Sequence, residues 1–151
     1  MKIQNEIKQG KAFRNAYHKT TVNLIFTGRW IVNLHNELFK TFGITIQQYN
    51  ILKILKGQYP KSITVKLIRD RMLDKMSDAS RIVENLRKKN LLARDLNMDD
   101  RRRVDVIITR EGLDLLYLIE EKGSDTMDNF LSKLNQHENE QLNTLLDKLR
   151  D

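Results

Sequence analysis

A chain of 151 residues, 40% hydrophobic and 31% charged, holds enough apolar material for one core, and a single domain over 1–151 is the expectation. The absence of cysteine excludes disulfides, thiol redox sensing and zinc–thiolate chemistry. No run approaches the roughly 18 apolar residues of a membrane span, and Met1-Lys2-Ile3-Gln4 lacks a signal-peptide core, so a cytoplasmic location is expected.

The net charge of +7 is unevenly distributed. Residues 1–60 hold nine Lys/Arg against two Asp/Glu, residues 61–103 thirteen against seven, and residues 104–151 five against eleven. A basic front and an acidic rear suit a phosphate-binding protein with a separate interaction segment. Solvated helix faces alone would be the plainer explanation.

Taken in order, the first dozen residues are polar and basic and read as a loose arm. From about Ala12 to Lys40 apolar residues recur at helical spacing, and Phe42-Gly43 supplies the glycine expected just past a helix end. A helix this long exceeds what a small domain needs, so part of it should pack on another subunit. Thr45-Ile46-Gln47-Gln48 has capping-box form and opens a second helix, stopped by Gly57-Gln58-Tyr59-Pro60. Ser62-Ile63 fits a short strand, and Thr64 caps a third helix. Leu73-Asp74-Lys75-Met76 forms a turn, with Ser77 capping a fourth helix. Two short helices joined by a tight turn make a helix-turn-helix.

The fourth helix buries Ala79, Ile82, Val83 and Leu86 by spacing, leaving Asp78, Arg81, Asn85 and Lys88 outward with Ser77 and Ser80 near its start. Asn90 takes the helix-end position that calls for a positive φ. After Leu91-Leu92 comes a charged tip, Asn97 to Arg103, then Val104 to Thr109 with the alternation of a half-buried strand. A helix followed by a hairpin with an arginine tip describes a winged helix. Thr109-Arg110-Glu111-Gly112 caps a fifth helix running through Leu116 and Ile119 toward Leu134, and Asn135-Gln136-His137-Glu138 opens the last. The fold class is therefore mainly α, with a small β-hairpin wing.

These residues resemble the MarR family of bacterial transcriptional regulators. The resemblance spans about 41–112 and rests most on Asp100-x-Arg102-x-x-x-Val106-x-Ile108-Thr109-x-x-Gly112, which looks like the family's wing-to-helix signature. Ser80-Arg81-Ile82-Val83-x-x-Leu86-x-x-Lys89-Asn90-Leu91-Leu92 looks like its recognition helix and exit. Asp99 stands where the family often has Arg, and Asn97 where Asp is common. The resemblance implies a winged helix-turn-helix DNA-binding part over about 41–112, with helices at 12–40 and 113–151 holding a homodimer. It also implies a pseudo-palindromic operator on double-stranded DNA, repression, and in many members release by a small aromatic or phenolic effector. Trp30, His35 and Tyr49 fall near the family's usual pocket, though Trp30 and Tyr49 are more often core or interface packing and His35 fits equally a satisfied polar group at the interface.

In the DNA-binding reading, Arg81 makes a bidentate contact to guanine, while Ser77 and Ser80 reach phosphate or base edges. Asp78 either accepts from cytosine or strengthens the helix start. Asn85 and Lys88 share the same face. Arg101 and Arg102 suit a narrow, negative minor groove, with Asp100 orienting Arg102 or serving as a plain turn residue. Lys61, Thr64 and Lys66 fit phosphate contacts. His18, His35 and His137 are scattered, with no partner at ligand or triad spacing, so no enzyme, metal or cofactor is expected. Two rivals remain: a winged-helix module that binds an acidic protein, and a non-specific architectural DNA binder.

Overall fold

The computed structural model describes residues 2–96, 104–129 and 132–151, without the side chains of 95, 96, 104 and 124–129. It separates into two compact units, Met1–Glu37 and Leu38–Asp151.

The first unit corrects one expectation. Its opening residues are not a loose arm, because Ile3–Glu6 forms a short helix, α1. No side chain caps α1, but Ile3 is buried, which fixes a turn that four residues could not hold by hydrogen bonds alone. The long helix α2 is Ala16–Thr41, and its part in this unit leaves Tyr17, Ile25, Trp30 and Val32 exposed.

In the second unit, α2 ends as the sequence suggests. Gly43 has φ +70°, Gly43 N–H donates to Lys40 O at 3.0 Å, and Ile44 N–H donates to Phe39 O at 3.1 Å. Phe39 and Ile44 are both buried, the apolar contact that accompanies this type of helix end. Thr45 and Gln48 then close their capping box, the Thr45 hydroxyl accepting from Gln48 N–H at 3.2 Å and Gln48 Oε1 accepting from Thr45 N–H at 3.1 Å. They start α3, Ile46–Lys56. Next come β1, Ile63–Thr64, and α4, Val65–Arg71, capped by the Thr64 hydroxyl, which accepts from Leu67 N–H at 3.1 Å.

Helix α5 is Ala79–Lys88, followed by β2, Leu92–Leu96, and β3, Val104–Ile108. The antiparallel sheet has the order β1-β3-β2, with Ile63 opposite Val106 and Leu92 opposite Ile108. Inside it pack Ile51, Leu52, Ile68, Val83, Leu86 and Val106. Full burial of each such side chain contributes on the order of 1.5–3 kcal/mol. Four of them cluster on or beside α3 and α5, so the core fixes α5 from one side only.

Helix α6, Arg110–Asn129, starts where the Thr109 hydroxyl accepts from Gly112 N–H at 3.1 Å and donates to Asn90 O at 2.7 Å. It does not reach Leu134, because Asn135 caps a separate helix there: α7, Gln136–Lys148. The Asn135 side chain accepts from Glu138 N–H at 3.0 Å, and Glu138 returns the bond at 2.8 Å. α7 buries no residue and exposes Leu142 and Leu145. Lys53 and Lys56 of α3 bind Glu120 of α6 at 2.8 and 3.0 Å, and these ammonium groups hold the Glu120 carboxyl below the usual carboxylate range.

Candidate nucleic-acid interface

The segment before α5 is held by its own side chains. Asp74 Oδ2 accepts from the Ser77 hydroxyl at 2.6 Å and Asp74 Oδ1 from Met76 N–H at 3.0 Å. These bonds, the Ser77 hydroxyl first, hold the Asp74 carboxyl below its ordinary range. Leu73 N–H donates to Asn50 Oδ1 at 3.0 Å, tying the turn to α3.

Helix α5 therefore begins one residue later than expected. Its cap is Asp78, whose Oδ1 accepts from Arg81 N–H at 3.0 Å, whereas the Ser77 hydroxyl is committed to Asp74. The physical reason is local competition. Asp74 lies three residues before Ser77 and draws its hydroxyl backward as a donor, leaving the next residue to accept the orphan N–H. Asp78 thus takes the helix-start role that the sequence left open, with Ser77 just before the helix and Ser80 on its first turn.

The two faces of α5 divide as the spacing predicts. Ala79, Ile82, Val83 and Leu86 are buried, while Asp78, Ser80, Arg81, Asn85 and Lys88 are exposed and Ser77 is half-buried. Thr64 is half-buried, with its hydroxyl engaged as the α4 cap. A groove lined by Lys66 and Arg69 of α4 together with Ser77, Asp78 and Ser80 joins the two helices. The fold thus brings six of the expected residues to one side: Ser77, Asp78, Ser80, Arg81, Asn85 and Lys88. Asp100, Arg101 and Arg102 lie outside the described residues. The strands that carry them pair as far as Leu96 opposite Val104.

The end of α5 is shaped by Asn90, at φ +58°. Asn90 N–H donates to Arg87 O at 2.9 Å and Leu91 N–H to Leu86 O at 3.0 Å, repeating the termination seen at Gly43. Lys89, on the last turn, donates to Gly43 O at 2.5 Å and to Gln48 Oε1 at 3.3 Å. It secures α5 to the α2–α3 turn.

Sequence reasoning missed a cluster on the same helix. Glu84 accepts from Arg87 Nε at 3.0 Å and Nη2 at 2.9 Å, and from Arg94 Nη2 of β2 at 3.0 Å. The Arg87 fork holds the Glu84 carboxyl below its usual range, and Glu84 in turn raises Arg87. The Glu84–Arg87 spacing of three was a visible signal, but the third member arrives through the sheet.

Of the aromatic and His candidates, Trp30 and His35 belong to the first unit and Tyr49 to the second. Burial holds the His35 imidazole below its ordinary range. Tyr49 stacks on Phe39 with ring centroids 4.3 Å apart, and burial pushes its hydroxyl up. Among the described residues no group of three His, Asp or Glu could hold a metal ion, and no helix is long and apolar enough to cross a membrane.

No family model matches the sequence, and no curated protein does. Solved structures do match. MepR of S. aureus, solved as a DNA complex, is 21% identical over 85% of this chain and 94% of its own, with a TM-score of 0.74. A MarR transcription factor from Planctomyces limnophilus is 26% identical over 90% and 98%, with a TM-score of 0.69. The organohalide-sensing regulator RdhR, solved with 2,4-dichlorophenol, is 19% identical over 94% and 85%, with a TM-score of 0.82.

Proposed function

We propose that this chain, whose fold is that of the MarR-family transcription regulators, is a non-enzymatic regulator that reads double-stranded DNA as a homodimer. The observation that carries the reading is the outward stripe of α5, with Ser80, Arg81, Asn85 and Lys88 exposed while the opposite face is anchored in the core. In this reading α5 enters the major groove, Arg81 takes guanine through its two-pronged donor, and Asn85 addresses a neighbouring base edge. Ser80 and Lys88 position the helix on phosphates, as do Lys61, Lys66 and Thr64 through its backbone, while Ser77, with its hydroxyl and N–H given to Asp74, braces the helix start. Arg101 and Arg102 of the wing take the minor groove, with Asp100 orienting Arg102.

The homodimer is supported by apolar side chains left exposed on the long helices: Tyr17 and Ile25 of α2, Leu142 and Leu145 of α7. Two copies then present their α5 helices to half-sites roughly 34 Å apart. Occupancy of such a site blocks a promoter, which makes the regulator a repressor. A small aromatic molecule that lowers DNA affinity completes the proposal, supported by the dichlorophenol bound to RdhR.

The test is selection from a pool of random duplexes at near-physiological salt, with sequencing of what is retained. An enriched inverted repeat is the expected result. Retention without enrichment favours an architectural binder, and no retention favours a module for an acidic protein partner. Titrating simple phenols against the enriched duplex then tests release, which unchanged affinity would contradict.

A further inference from the structure

Glu84 is the acidic residue on the outward part of α5, one turn after Ser80 and Arg81 and one turn before Lys88. Both of its oxygens are engaged by arginines, Oε1 by Arg87 and Oε2 by Arg87 and Arg94. The three side chains remain 31–51% exposed. An ion pair so exposed contributes little to folding, because solvent screens it. Stability therefore gives little reason for a carboxylate among the cations of this face, and its effect on ligands is the larger one.

That effect follows from charge and geometry. A guanidinium forks onto a phosphate as readily as onto a carboxylate, and each phosphate neutralised adds about 0.9 to the salt slope of duplex binding. Arg87 on α5 and Arg94 on β2 flank the junction between helix and wing, where a DNA backbone passing between the two grooves would run. Free, they would add two sequence-independent contacts. Bound to Glu84, the trio carries one positive charge instead of two, and both forks are already partly filled.

We propose that Glu84 is an affinity-limiting residue of the DNA interface, which withholds Arg87 and Arg94 from phosphates and so restrains binding to duplex of any sequence. The inference rests on the reading of α5 as the DNA-contacting helix. Non-specific affinity comes almost wholly from phosphate contacts, whereas specific affinity adds base readout. Restraining the phosphate contribution lowers affinity for both kinds of duplex alike and leaves base readout unchanged.

The experiment compares full-length wild type, Glu84→Gln, Arg87→Gln/Arg94→Gln and the triple variant on the enriched duplex and on random duplex of equal length, across a salt series. Glu84→Gln is expected to bind random duplex about tenfold more tightly at ~0.15 M salt, with a salt slope steeper by about one to two. Its affinity for the enriched duplex should rise by a similar factor, as expected of phosphate contacts common to both. In the double-arginine background the same substitution should change neither quantity.

An equal gain with and without the arginines overturns the proposal, since Glu84 would then act by its own charge alone. Unchanged random-duplex affinity in Glu84→Gln also overturns it, with Glu84→Ala as the second variant and thermal melting confirming that each is folded. Wild type that binds no duplex at any salt sinks the underlying reading and this inference together. Wild type that binds while the variants match it sinks this inference only.

Discussion

The backbone oxygen of Leu91 lies 2.2 Å from where a Cβ on Gly112 would stand, and Ile108 Cγ1 lies 2.7 Å from it. The start of α6 is pressed against the exit of α5, and Thr109 N–H donates to the same Leu91 oxygen at 3.2 Å. Gly112→Ala must push apart backbone as well as side chain, at a cost on the order of 1–3 kcal/mol. Thermal melting should show a drop of several degrees. An unchanged melting point would mean that the two segments separate freely.

Asp78 separates structural from reading roles. Removing the cap with Asp78→Ala should cost about 0.5–2 kcal/mol, while Asp78→Asn keeps an accepting oxygen and should lose far less. Chemical denaturation measures both. If Asp78→Asn instead retains stability but changes the base preferred at one operator position, the side chain reads DNA in addition to capping.

Arg81 and Lys88 share the exposed stripe but are assigned different tasks. Arg81→Ala should weaken operator binding by about 1–3 kcal/mol and random duplex much less. Lys88→Ala should weaken both alike and reduce the salt slope by about one. Equal losses on both duplexes for Arg81→Ala would remove it from base recognition.

Acid should weaken the link between α3 and α6. Glu120 is held below the usual carboxylate range by the hydrogen bonds from Lys53 and then Lys56. Its contribution is therefore present above the ordinary glutamate range and disappears as pH falls through the lowered folded value. The side chains are about two-fifths exposed, so solvent screening limits the effect to roughly 0.2–1 kcal/mol. Melting points of wild type and Glu120→Gln should differ at neutral pH and converge in acid. A gap that persists into strong acid would assign the difference to packing.

The features legible in the sequence are those made by neighbours along the chain. Thr45 with Gln48, Asn135 with Glu138, Thr64, Thr109 and the left-handed Asn90 each act within three or four residues, and each stands as read. The buried and exposed faces of α5 follow from a single period. Ser77 departs from the expectation because its hydroxyl has two partners at matching spacing, the Asp74 carboxylate behind and the Ser80 N–H ahead, and spacing alone does not rank them. Helix α1 escaped because burial of Ile3, not a cap, secures it. The bond from Arg94 to Glu84 crosses ten residues and a change from helix to strand, so only the folded sheet brings them together.

Lys89 gives α5 an anchor in addition to its buried face. Its ammonium group spans from the last turn of α5 to Gly43 O and Gln48 Oε1, across more than forty residues of sequence. The bond ties the exit of α5 directly to the turn that ends α2 and opens α3. Acetylation of that one amine would remove its charge and this link, leaving α5 held by the packing of its buried face alone.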